Sequence, residues 1–165
     1  MNRIYTYPSP FGPISIAEND QAITHLLLPG DAYSAEYETK ESELLREASR
    51  QLQAYFAGNL RKFDLPLAPA GTDFMKRVWD SLQRIPYGAT RSYRDIALDI
   101  GNPKACRAVG QANNRNPLPI FIPCHRVIGA NGNLIGYGGG LPIKQYLINL
   151  ESSCLARECP GYYKK

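Results

Sequence analysis

The chain has 165 residues, enough for one large domain or two small ones, and its 44% hydrophobic content suffices for a core. Its start, Met1–Pro8, shows no basic stretch leading into an apolar run, and no segment approaches the roughly 20 apolar residues that span a bilayer. A soluble, cytoplasmic protein with no membrane partner is expected. Net charge is +4 but unevenly divided: residues 1–71 hold 6 Lys and Arg against 9 Asp and Glu (net −3), and residues 72–165 hold 13 against 6 (net +7). Such asymmetry points to a polyanion as partner of the second half.

In chain order, Arg3–Tyr7, Ile14–Ala17 and Ala22–Leu28 read as short strands separated by the turn formers Pro8-Ser9-Pro10-Phe11-Gly12-Pro13 and Asn19-Asp20. Gaps this short suit an antiparallel meander. An acidic stretch leads to a helix over Ser42–Ala57, with Leu45, Ala48, Leu52, Tyr55 and Phe56 on one face and Gly58 at the left-handed cap position. Phe63–Leu67 reads as a further strand. Leu65–Gly71, rich in Pro and Ala, reads as a linker, so the domains are set at 1–70 and 71–165.

After the linker the pattern is helical. Thr72 or Asp73 caps a helix whose stripe is Phe74, Val78, Trp79, Leu82 and Ile85, with Trp79 taken as packing. Ser92-Tyr93-Arg94-Asp95 is a capping box opening a short helix that stops at Gly101. Asn102 then caps a second helix with Pro103 in its first turn, a narrow face of Ala105, Ala108, Val109 and Ala112, and Lys104 and Arg107 projecting. Two short helices around a Gly-containing turn, the second one basic, form a helix-turn-helix pattern. Beyond the apolar run Pro119–Ile122, Val127-Ile128 and Leu134-Ile135 flank a tight reversal, and Gly136–Gly140 hold four glycines. The last helix, Leu141–Glu151, places Tyr146, Leu147 and Leu150 on one side.

The chemistry concentrates at Ile122-Pro123-Cys124-His125-Arg126. Neighbouring cations favour the thiolate, the nucleophilic form of cysteine. Side chains adjacent on a strand point to opposite faces. His125 therefore reaches Cys124 directly only if Pro123 breaks the strand, and otherwise a water must connect them. Glu151 stands at the end of the last helix, the wrong sign for the macrodipole at a cost of about 0.3–1 kcal/mol. Beside His125 it would orient an imidazole that deprotonates a thiol. The other cysteines, Cys106, Cys154 and Cys159, are expected reduced. Cys154 and Cys159 are too far apart for a zinc knuckle, and no metal is expected.

Asn116-Pro117-x-Pro119-Ile120-x-Ile122-Pro123-Cys124-His125-Arg126-Val127-Ile128 resembles the active-site signature of the DNA alkyltransferases that repair guanine alkylated at its six-oxygen. The resemblance extends to Ser92-Tyr93, Gly101-Asn102-Pro103-Lys104, Arg107-Ala108-Val109-Gly110, Gly136-Tyr137-x-Gly139-Gly140 and the helix bearing Glu151. It implies an α+β protein with a small N-terminal α/β, ribonuclease H-like domain. A mainly helical C-terminal domain follows, whose helix-turn-helix enters the minor groove of double-stranded DNA.

The resemblance further implies that Cys124 accepts the alkyl group, with His125, a water and Glu151 as relay and Asn116 as its brace. Tyr93 would assist the departing guanine and help rotate the nucleotide out, and Arg107 would fill the vacated stack. Arg94 and Asn102 join them as DNA-binding candidates, and Tyr137 and Gly138 line the pocket. The protein would act once, as a monomer, on alkylated guanine and with alkylthymine as a further substrate. The chemistry agrees: a base must leave the duplex to be reached, and the thioether product has no easy way back, so no cofactor is needed. The competing readings are a lesion-binding protein without catalysis, which Cys124 opposes, and a cysteine hydrolase or regulator unrelated to repair. Ser152-Ser153 stands where a glycine is common, and the tail to Lys165, with Cys154 and Cys159, lies outside the resemblance.

Overall fold

In the computed structural model, residues 1–33, 36–129, 132 and 140–158 are described, and the chain divides into two units. The first comprises Met1–Thr72 with Pro117–Phe121, the second Asp73–Asn116 with the chain from Ile122 onward.

The first unit is built on a four-stranded sheet in the order β3-β2-β1-β4. β1 (Arg3–Tyr7), β2 (Ile14–Glu18) and β3 (Ile23–Leu27) form the expected antiparallel meander, with Tyr5 opposite Ile16 and Ile16 opposite Leu26. β4 (Glu38–Thr39) pairs parallel to β1. Ile4, Ile14, Ile16, Ala17, Ile23 and Leu26 are buried, as are Leu45, Ala48, Leu52 and Tyr55 of α1 (Glu43–Phe56). The Ser42 hydroxyl caps α1 by accepting from the Leu45 N–H at 3.1 Å. Gly58 closes it at φ +80°, with the Gly58 and Asn59 N–H groups donating to Tyr55 and Ala54.

Phe63–Leu67 is not a strand. Only Leu67 bridges, to Ile23. The Gln51 amide satisfies both backbone groups of Asp64, at 2.9 and 3.0 Å, and so replaces a neighbouring strand, while Pro66 has no N–H to offer a ladder. Ile120, a buried β-branched residue, holds φ +75°, a strain of about 1–2 kcal/mol that its packing must offset.

The second unit packs α2 (Asp73–Gln83), α3 (Tyr93–Asp99) and α4 (Cys106–Asn114) on one another. Two short parallel strands, β5 (Arg91–Ser92) and β6 (Val127–Ile128), lie in the same unit. Val78, Trp79 and Leu82 are core, and the Trp79 indole donates to the Ala112 carbonyl at 2.9 Å, so this ring packs and does not wait for a ligand. The Ser92–Asp95 capping box is formed.

α3 ends in a left-handed Gly101 at φ +77°, and the Asn102 N–H is used to cap that end, at 2.9 Å from the Ala97 carbonyl. Asn102 does not cap the next helix, because Ala105 stands at its N-cap and no side chain caps it. The Asn102 carbonyl accepts the Ala105 N–H in a turn, and α4 starts only at Cys106. α3, this turn and α4 make the helix-turn-helix. Val109 and Ala112 face the core while Ala108 and Arg107 are exposed.

α5 (Leu141–Glu158) runs seven residues past the expected end. Glu151 thus lies inside a helix, and the opposition to the macrodipole inferred from sequence does not arise. Its buried stripe is Lys144, Leu147, Glu151 and Cys154, while Tyr146 is exposed and Leu150 half-buried.

Candidate active site

The chain bends at Pro123 (φ −79°, ψ 65°), and Cys124–Arg126 form a single 3₁₀ turn. The Cys124 N–H donates to Ile122 at 2.7 Å and the Arg126 N–H to Pro123 at 3.0 Å. Three residues per turn place successive side chains about 120° apart, so neither a flat strand nor a direct thiol–imidazole contact results. His125 is buried, and its Nδ1 has no hydrogen-bonding partner among the described residues, the Cys124 sulfur included.

Glu151 is the hub. His125 Nε2 lies 2.7 Å from its Oε2, Arg126 donates to Oε1 at 2.8 Å and to Oε2 at 3.0 Å, and the Gly88 N–H donates to Oε1 at 3.1 Å. Arg126 also donates to the Ile85 carbonyl at 2.8 Å. Burial works against the Glu151 charge, but the hydrogen bonds of His125 and Arg126 and the Arg126 charge outweigh it and hold the carboxyl well below the usual carboxylate range. Burial pushes His125 down, against the pull of Glu151, so the resting imidazole is neutral. With an ionised carboxylate at Nε2, that nitrogen carries the proton and Nδ1 keeps the basic lone pair.

Cys124 is buried, and burial pushes its thiol up to about 11 against an Asn116 hydrogen bond, the Lys144 charge and backbone N–H groups. The resting group is therefore a thiol. The neighbouring cations named by the sequence do not make it a thiolate, because Arg126 is committed to Glu151 and desolvation dominates. Asn116 also donates to the Ile122 carbonyl at 2.8 Å, and Asn113 to the Cys124 carbonyl at 3.3 Å, fixing the backbone on both sides of Pro123. Tyr93, the first residue of α3, is half-buried, and burial together with the Cys124 charge pushes its hydroxyl up. A β-carbon on Gly110 would already touch the Tyr93 ring at 3.8 Å.

Cys124, His125, Glu151, Asn116 and Tyr93 thus converge. Arg94, Asn102 and Arg107 do not join them; they are exposed on α3, the turn and α4. Tyr137, Gly138 and Cys159 lie outside the described residues, as do Leu134-Ile135. Three participants escaped the sequence reading: Arg126 as partner of Glu151, Gly88 and Lys144. Pro86-Tyr87-Gly88 was legible as a turn, but the target of its N–H was not. No three His, Cys, Asp or Glu side chains among the described residues cluster to hold a metal ion.

Residues 2–69 match the ribonuclease-like domain of 6-O-methylguanine DNA methyltransferase, and residues 73–153 match its DNA binding domain. The chain belongs to the 6-O-methylguanine DNA methyltransferase family. A methylated-DNA–protein-cysteine methyltransferase of Methanosarcina acetivorans is 54% identical over 151 residues, spanning 90% of this chain and 97% of its own. The constitutive one of Bacillus subtilis is 51% identical over 158 residues, 92% and 96% of the two chains. Among solved structures of this family, Mycobacterium tuberculosis OGT in complex with DNA superposes with a TM-score of 0.87 at 47% identity, covering 92% of this chain and 94% of that one. The α+β architecture expected from sequence is the one found. Among the described residues no helix is long and apolar enough to cross a membrane.

Proposed function

We propose that this protein repairs double-stranded DNA in the cytoplasm by moving the alkyl group of 6-O-alkylguanine onto Cys124, once per molecule and without a cofactor. The observation that carries this reading is the Glu151–His125 bond of 2.7 Å, which leaves Nδ1 as a base in the same 3₁₀ turn as the buried thiol. The thiol proton passes through a water to Nδ1, and Glu151 stabilises the imidazolium that forms. The sulfur then attacks the alkyl carbon. The carbon–sulfur bond forms as the carbon–oxygen bond breaks, and the electron pair goes to the guanine oxygen. The Tyr93 hydroxyl, at the edge of this site, hydrogen-bonds the departing base. The product is a thioether, which has no proton to lose, so the reaction ends there.

DNA is met as a monomer at the minor groove, by α4. Arg107 fills the stack left by the extruded nucleotide, and Arg94 and Asn102 meet the backbone. The exposure of Arg107 beside the small Ala108 supports this, since small residues allow close approach to a groove. Tyr137 and Gly138 are proposed to line the pocket, as the resemblance implies. A protein that only marks lesions would have no use for the thiol and its base.

Incubation with a duplex carrying a labelled methyl on guanine tests the proposal. Label should move to protein up to one methyl per chain and then stop. Lesion bound tightly with the label still on DNA would overturn it.

A further inference from the structure

α5 buries a stripe of four residues, Lys144, Leu147, Glu151 and Cys154, and packs on the 3₁₀ turn that carries Cys124. Two of the four are charged. Glu151 is engaged by His125, Arg126 and Gly88. Lys144 has no part in that relay, yet it is wholly removed from solvent, a state that lysine tolerates only where an anion or strong acceptor compensates. Seven residues separate the two, two turns of helix or roughly 10 Å along the axis. The turn therefore packs on a helix face that carries both an anion, bonded to His125, and a buried cation.

We propose that Lys144 is a positioning residue for alkyl transfer, its ammonium serving as counter-ion to the Cys124 thiolate while the thiol proton resides on His125. The inference rests on the alkyl-transfer reading above and adds to it the group that makes a buried sulfur anion tolerable. Among the described residues, the charged and titratable groups on this turn and the elements beside it include Cys124 and His125 on the turn, Arg126 beside them, Tyr93 on α3 and Glu151 further along α5. Arg126 is bound to Glu151 and the Ile85 carbonyl. Among the described residues, Lys144 is the side-chain cation whose charge eases ionisation of the sulfur. Burial pushes the amine down to about 8, the sulfur opposing, so it is mostly charged at neutral pH.

The test needs no DNA. Iodoacetamide capture at Cys124, followed by peptide mass spectrometry across a pH series, compares the full-length protein with K144M and K144R. K144M should slow capture at pH 7.5 by about tenfold or more and move the rise in rate up by about one pH unit, the two being equivalent. K144R should keep most of the rate. K144M should also melt no lower than the wild type, because an apolar chain of similar length replaces a buried charge. A K144M profile coincident with wild type overturns the proposal. Should the wild type take no methyl from DNA while K144M still slows capture, the proposed function falls and the pairing stands.

Discussion

Leu155 occupies the space that any side chain on Gly88 would need, and a β-carbon there would also lie 3.7 Å from the Glu151 carbonyl. Gly88 sits at φ +80°, and its N–H is one of the donors to the Glu151 carboxylate. The turn after α2 is thereby locked against the acid end of the relay. Gly88→Ala should destabilise the protein by about 2–4 kcal/mol, combining left-handed backbone strain with overpacking. Adding Leu155→Ala should return the overpacking part alone. Urea unfolding of the single and double variants measures both.

Glu151 ties stability to pH. Its folded carboxyl is held below the unfolded value of about 4.3, so its contribution is present above that pH and lost as pH falls below it. Removing one partner of a buried ion pair costs about 3–5 kcal/mol. Glu151→Gln should lower stability by that order at pH 7 and narrow its gap to the wild type near pH 3. Unfolding midpoints at the two pH values give the comparison.

The thiol should behave as a weak acid. With its proton held up to about 11, DNA-free alkylation of Cys124 should still be rising at about pH 10, where an ordinary thiol of pKa about 8.5 has levelled off. Asn116→Ala removes a hydrogen bond to the sulfur and should slow that reaction between about twofold and tenfold. A plateau below pH 8 would contradict the burial argument.

Arg107→Ala separates base extrusion from chemistry. Because extrusion costs a few kcal/mol, transfer from duplex should fall by about tenfold or more while reaction with the free alkylated base is unchanged. Equal losses on both substrates would remove Arg107 from the stacking role. Affinity for duplex should also fall as salt rises, since phosphate contacts release counterions.

Periodicity made β1, β2, β3 and α1 legible. β4 escaped because two exposed residues, Glu38 and Thr39, have no period to read. Phe63–Leu67 alternated like a strand, but its backbone found the Gln51 amide, a side-chain choice that no propensity records. The start of α4 moved because the Asn102 carbonyl closes a turn with the Ala105 N–H and the helix opens only after Ala105.

At the site, residue chemistry suggested Cys124, His125 and Glu151, and Asn116 and Tyr93 came only with the family resemblance. The sequence reading mistook the state of the sulfur, since burial is a tertiary property. Lys144 was hidden by its polarity: a face drawn through Tyr146, Leu147 and Leu150 excluded it. A stripe drawn through Leu147 and Glu151 would have included it.

The most direct test is peptide-level mass spectrometry after incubation with a duplex carrying 6-O-methylguanine. One methyl group should appear on the Cys124 peptide, with Cys106, Cys154 and Cys159 unmodified, and Cys124→Ser should bind the duplex without gaining mass. A methyl on another residue, or an unmodified Cys124 in protein that has removed the lesion, would contradict the assignment of this thiol as acceptor.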